Sequence, residues 1–163
     1  MADGAGAVAH YRFLTTWCLD AALDDVWEAI KASERWPEWW RGVERNECVR
    51  RGDDEGVGSV YECAWRSLLP YTVRFRAETL RVERPHVIEV RAVGELAGHG
   101  TWRLYEGDGT CATYDWDVET TRPWMNMLEP IARPIFAWNH HWIMRRGGEG
   151  LARVLGCELV ARS

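Results

Sequence analysis

From Val43 to Thr120 the chain runs through short segments that alternate apolar and polar residues, and clusters of turn-forming residues break the segments apart. Tyr71, Val73, Phe75 and Ala77 oppose Thr72, Arg74, Arg76 and Glu78, while Ala112, Tyr114, Trp116 and Val118 oppose Thr113, Asp115, Asp117 and Glu119. A period of two with one apolar and one solvated face is the mark of antiparallel strands covered on one side. The breaks at 51–56, 83–86 and 106–109 have hairpin chemistry, so the spacing predicts strands over 43–50, 58–66, 71–83, 87–93, 98–105 and 110–120. Connections this short favour a meander. At Leu80 and Val82 the fourth strand changes phase, as a β-bulge would require, and a bulge helps a sheet curl.

The same period places Tyr11, Phe13, Thr15 and Trp17 on one face of a further strand over 10–19. Leu23, Val26, Trp27 and Ile30 recur at helical spacing, with Asp24 and Asp25 where the helix dipole favours negative charge. Ser33 is a candidate cap for a second short helix, and Pro37 predicts its end near Trp36. After Pro123 the chain reads as helix to about Leu155, with Pro130 and Pro134 confining the regular part to 134 onward. Phe136, His140, Ile143, Gly147, Leu151 and Val154 form the stripe expected to meet the sheet, and Gly147, Gly148 and Gly150 are expected to weaken the helix. Trp138 and Trp142, off that stripe, are candidates for an exposed patch that leaves a homodimer open.

With 163 residues, 47% of them hydrophobic, the chain fits one domain with one sizeable core, and nothing repetitive or linker-like divides it. A formal charge of -5 with arginine dispersed among acids argues against nucleic acid as a partner. No run approaches the ~20 apolar residues of a membrane span, and Met1 to Ala9 lacks the pattern of a signal peptide, which predicts a cytoplasmic protein. Cys18, Cys48, Cys63, Cys111 and Cys157 are odd in number and never spaced as C-x-x-C, so the expectation is reduced, packed thiols. No His, Asp and Glu spacing suits a metal, and no glycine-rich phosphate loop is present; neither metal nor cofactor is predicted.

This order of elements resembles the helix-grip layout of the START and birch-pollen-allergen (SRPBCC) superfamily. Asp25-Val26-Trp27-Glu28-Ala29-Ile30, Trp36-Pro37-Glu38-Trp39-Trp40, Gly98-x-Gly100-Thr101-Trp102 and Thr113-Tyr114-Asp115-Trp116 resemble its polyketide cyclase/dehydrase-like branch. The resemblance implies an α+β fold: a curved seven-stranded antiparallel sheet wrapped around a long C-terminal helix, with two short helices after the first strand. It also implies one START-like ligand-binding domain over 1–163, residues 1–8 being a flexible lead.

The 11 tryptophans are a strong excess for this length. If the strand phases hold, Tyr61, Trp65, Phe75, Trp102, Tyr114, Trp116 and Phe136 converge on the concavity, where they either grip a ligand or fill the core. Trp36, Trp39 and Trp40 read as a lid or as anchors of the short helices, Trp40 being the one expected to touch a ligand. Ile143 belongs to the apolar stripe; Asn139, Tyr61, Tyr71 and Tyr114 are candidates to orient a polar end. His140 is the candidate catalytic residue, since a neutral imidazole on that stripe exchanges protons near pH 7, whereas His141 falls on a solvated face. No carboxylate pair lies on the inferred inner face, as Asp115, Asp117 and Glu119 point outward. The first reading is therefore binding of an apolar small molecule, lipid or polyketide-like. The alternative is a cofactor-independent polyketide cyclase or dehydratase. The third is a protein-interaction module resembling the heat-shock ATPase-activator branch.

Overall fold

The structure, a computed structural model, describes residues 8–163; the expectation of a flexible lead falls almost wholly outside them. Among the described residues eight strands form one antiparallel sheet: β1 (His10–Leu19), β2 (Val43–Arg50), β3 (Val60–Arg66), β4 (Thr72–Glu83), β5 (Val87–Gly94), β6 (Leu96–Glu106), β7 (Thr110–Thr120) and β8 (Leu159–Arg162). Their spatial order is β2-β3-β4-β5-β6-β7-β1-β8. The helices are α1 (Leu23–Lys31), α2 (Trp36–Trp39), α3 (Pro123–Met127) and α4 (Glu129–Leu155), with a 3-10 turn at Ser33–Arg35. This is a helix-grip fold, as the alternation and element order predict. β8 is an addition to the seven expected strands: Gly156, in the left-handed conformation, ends α4 and turns the chain back to pair with β1.

The inward faces follow the sequence phase. Tyr11, Thr15 and Trp17 of β1 are buried, as are Ala112, Tyr114, Trp116 and Val118 of β7, while Asp115 and Asp117 are bonded on the outer face by Arg12 and His10. The predicted bulge is present, the β4–β5 register slipping between Thr79 and Arg81. Gly100 on β6 clears room on the concave face: a Cβ there would lie 2.5 Å from the Tyr114 hydroxyl and 2.7 Å from the Trp116 ring.

Several expectations are corrected. Ser33 makes no side-chain cap; it opens the 3-10 turn. Trp36 stays helical before Pro37 because Pro37 occupies the first turn of α2, where a missing N–H breaks no helical bond. The long helix begins at Glu129, before Pro134 rather than at it. Val154 leaves the core stripe and is exposed. Trp142 is half-buried, between the guanidinium groups of Arg41 and Arg146, while Trp138 is exposed, as are Ile131 and Ile135 on the same helix.

The cysteine reading is also corrected. Cys18 and Cys111 face each other across β1 and β7 and form a disulfide closing a sequence separation of 93. Linear spacing carries no trace of this pairing, which the strand register creates. Cys48, Cys63 and Cys157 are free thiols.

The glycines of α4 do more than weaken it. A Cβ on Gly147 would fall 2.4 Å from the Trp40 ring, on Gly148 3.0 Å from the Trp17 ring, and on Gly150 1.9 Å from the Trp39 carbonyl oxygen. An exposed helical Gly→Ala exchange gains roughly 1 kcal/mol. Gly150→Ala is expected to reverse that sign and destabilise by about 3 kcal/mol, while Gly107→Ala, which meets nothing within 4 Å, changes little; urea unfolding of both variants measures the contrast. Loss of the cross-link in Cys18→Ser/Cys111→Ser is expected to lower stability by about 2–4 kcal/mol, and wild type unfolded under strong reductant should show the same loss.

Candidate functional site

Between the concave sheet and α4 lie two connected lobes. The helix lobe has a free volume of about 100 Å³ and the turn lobe, beneath α1 and the 3-10 turn, about 60 Å³. Each exceeds the space of one water severalfold. Trp65, Phe75, Tyr114 and Trp116 line both. The last two stack with centroids 5.6 Å apart, and Trp102 stacks on Tyr114 at 4.4 Å. These rings alternate along β3, β4, β6 and β7, so strand period alone aims them into one space.

The helix lobe is roofed by Phe136, Asn139, His140 and Ile143 of α4 and floored by Tyr11 and Phe13 of β1. Met125 of α3 closes one end, and α3 is held there by Asn126, whose Oδ1 accepts from the Thr120 hydroxyl at 2.7 Å and the Ala9 N–H at 3.1 Å. Tyr61 and Trp102 line the turn lobe. There too the Cys63 thiol donates to Asn46 Oδ1 at 2.9 Å, and burial pushes that thiol up to about 12.

Two of the predicted ligand contacts lie elsewhere. Trp40 lines neither lobe; its indole N–H donates to the Ile143 carbonyl at 2.8 Å, and the ring fills the slot opened by Gly147. Tyr71 donates its hydroxyl to Glu95 at 2.8 Å and meets the Trp124 ring edge-on. Burial, and then the Glu95 carboxylate, raise its hydroxyl to about 12. Burial alone would raise Glu95, yet the Arg74 N–H, Tyr71 and Arg122 outweigh it and hold this carboxylate below its usual value. Tyr71 thus belongs to a polar clasp between the start of β4, the β5–β6 corner and α3. Conversely, Tyr11, Phe13, Trp36, Val73 and Met125 line the lobes without having been singled out as ligand contacts. Alternation along β1 could have marked Tyr11 and Phe13; nothing in the sequence marks Met125.

The polar character of the helix lobe is sparse. His140 stacks on Phe13 at 4.1 Å, and its Nε2, like Asn139 Oδ1, is buried with no hydrogen-bond partner among the described residues. Burial, reinforced by His141, lowers the His140 pKa from 6.5 to about 3. The imidazole is therefore neutral near pH 7, a hydrogen-bonding group rather than one that exchanges protons there. Burial drives Tyr114 well above the ordinary phenol value, so it too stays neutral.

The His140 shift predicts a pH dependence of stability. Unfolded chains take up a proton near pH 6.5, which the folded protein refuses until about pH 3; stability is therefore complete above pH 6.5 and falls as the solution is acidified. Between pH 6.5 and 5 the expected loss is about 1.5 kcal/mol. His140→Phe, which keeps a ring against Phe13, should remove that part of the slope in urea midpoints measured across this range.

Comparison with known proteins agrees with this fold. No curated protein matches the sequence. Among solved structures the chain is similar to the protein TTHA0849 from Thermus thermophilus, with a TM-score of 0.69, 19% identity and coverage of 90% of this chain and 99% of that one. It is similar to the Zhui aromatase/cyclase from Streptomyces sp. R1128, with a TM-score of 0.59, 17% identity and coverage of 91% and 96%. It also resembles the di-domain aromatase/cyclase StfQ of the steffimycin biosynthetic pathway, with a TM-score of 0.64, 14% identity and 90% of this chain covered, but spans only 52% of that chain. Identities this low establish shared fold alone. The family described as polyketide cyclase / dehydrase and lipid transport matches residues 13–156, and the chain belongs to that family.

Proposed function

We propose that this protein binds a neutral, ring-bearing apolar molecule in the two lobes. The observation that carries the reading is the lining: mostly aromatic and aliphatic side chains surround the space, and Lys31 is the one charged residue among those that line it. Such a lining favours transfer of flat apolar surface out of water, with a few hydrogen bonds fixing orientation. Within the family, aromatase/cyclases and lipid transport define the range of ligand chemistry this reading draws on.

The second reading is cyclisation or dehydration of a polyketide-like ligand in the same space, with His140 beside it. The partnerless Nε2 favours it, since a free imidazole nitrogen in an apolar site can accept a proton from an enolising substrate. A pKa near 3 opposes it, because so weak a base has little driving force to remove a proton from carbon at pH 7. Binding is therefore the better-supported reading.

Native mass spectrometry of gently purified protein is expected to show a retained mass that leaves on denaturation. Titration with flat naphthyl or anthryl ligands should quench tryptophan fluorescence with micromolar affinity, and Phe136→Arg should weaken binding at least tenfold with little change in melting temperature. Loss of both signals from the wild type, with the fold intact by circular dichroism, would discard the binding reading. Turnover of a poly-β-ketone that His140→Phe abolishes would promote the second.

A further inference from the structure

Among the described residues, six of the fourteen large apolar side chains exposed on the surface fall between 124 and 138: Trp124, Met127, Leu128, Ile131, Ile135 and Trp138. The others are scattered singly, which is ordinary on a protein surface, whereas a cluster marks a contact site. Phe136 and Ile143, on the other face of the same turns, already meet the lobes and the sheet. The first half of α4 is therefore apolar on two faces. A helix of that kind is ordinarily covered on both, and here one is bare.

The spacing of the bare face identifies what covers it. Leu128, Ile131, Ile135, Trp138, Trp142 and Arg145 follow one another at intervals of 3, 4, 3, 4 and 3 residues. That is the narrow seam of a helix packed on a second helix, not the broad stripe of a helix lying on a flat surface. From Leu128 to Trp142 it runs roughly 21 Å, and Trp142, half-buried between Arg41 and Arg146, closes its far end. The intervals read the same backwards. A second copy of α4 laid antiparallel therefore sets Ile131 opposite Trp142 and Ile135 opposite Trp138, an aliphatic side chain against an indole at each level. The same register sets Arg145, which is exposed, against the start of the other helix, where the sequence reads Leu128-Glu129. A parallel copy would set indole on indole and Arg145 on Arg145. Size and charge both select the antiparallel order.

We propose that this seam is the interface of a twofold dimer, in which α4 of one copy packs antiparallel on α4 of a second copy. A contact of this kind uses the same patch twice and closes on itself. Each α4 then lies between its own sheet and a second helix, so the turns that roof the helix lobe are held from outside as well as from beneath. The seam is short, and the dimer is a weak one that dilution separates. The proposal stands independently of what the lobes hold.

Sedimentation velocity of the intact chain over a dilution series is expected to show monomer giving way to dimer as the concentration rises. Ile135→Glu, which puts a carboxylate at the centre of the seam, should weaken the dimer at least about tenfold, as should Trp138→Lys. Val154→Glu, at an exposed apolar position of the same helix outside the seam, should leave it unchanged. Both seam positions are exposed in the monomer, so circular dichroism of the dilute variants should match the wild type. Because Ile135 of one copy faces Trp138 of the other, an equal mixture of the Ile135→Glu and Trp138→Lys proteins should dimerise more tightly than either alone. The mixed pair carries one altered level, matched in charge, where each variant paired with itself carries two. A wild type that stays monomeric throughout, or a dimer that both seam variants leave intact, overturns the proposal. A mixture no tighter than its parts overturns the antiparallel order, and the proposal with it. Pelleting of a monomeric wild type with phosphatidylcholine vesicles would assign the face to a lipid surface and overturn it as well.

Discussion

Three tryptophans pressed against three glycines hold this fold in its working shape. Gly147, Gly148 and Gly150 bring the C-terminal half of α4 so close to Trp40, Trp17 and Trp39 that a methyl group at any of the three positions would collide or crowd. The contact is rigid on both sides, since an indole ring has few conformations and a helix backbone has none to offer. Trp40 adds a hydrogen bond to the Ile143 carbonyl inside the helix. Leu151 and Ala152 complete the buried seam. Once that half of α4 is pinned to β1 and α2, the N-terminal half is cantilevered over the sheet, and its side chains meet space instead of backbone. Phe136, Asn139 and His140 are half-buried there because they roof a cavity. Pinned seam and open roof are two consequences of one helix being small on one stretch and large on the next.

The sheet contributes the other wall by the same economy of size. Gly100 sits under Tyr114 and Trp116 and leaves room for their stacked rings on the concave face. The outer face is laced with ion pairs such as Arg76–Glu62 and Arg91–Glu78, which are solvent-screened and contribute little stability individually. Their role is closer to keeping one face of every strand wet, which fixes the register against a one-residue slip. The clasp at Glu95 differs because its carboxylate is largely shielded and takes three partners from the segments around the starts of β4 and α3. It ties the chain entering α3 to the β5–β6 corner, and so sets where Met125 closes the helix lobe.

Strand alternation made most of this architecture legible. Tyr71 to Ala77 and Ala112 to Val118 read correctly because each strand has one covered face, and the β4 bulge showed as a phase change at Leu80 for the same reason. What escaped the sequence depends on partners 24 to 103 residues away. Cys18 meets Cys111 only after β1 and β7 align. Trp40 is indistinguishable in sequence from its neighbour Trp36, yet one fills a glycine slot and the other borders a cavity. Tyr71 has the right phase for the concave wall, but it stands just before β4 begins, where Glu95 captures its hydroxyl. Val154 follows helical spacing beyond the point where the sheet still covers α4. Periodicity reports which face is covered; it does not report where a neighbour ends.

The electrostatics of the lobes constrain the ligand beyond shape. Three titratable groups buried there are displaced toward their neutral forms: His140 downward to about 3, Cys63 upward to about 12, and Tyr114 upward as well. Burial is the first cause in all three, so the lobes disfavour charge of either sign rather than charge of one sign. A carboxylate or ammonium entering the helix lobe would lose its hydration without gaining a counter-charge, a loss far larger than a few stacked rings can offset. Neutral ligands escape that penalty, and among them the ones that leave no buried donor or acceptor unpaired gain most. Selection by neutrality is also insensitive to pH, since none of the three groups changes its charge between pH 5 and 8. A cavity built this way discriminates by the number and placement of neutral hydrogen-bonding atoms on a flat apolar frame.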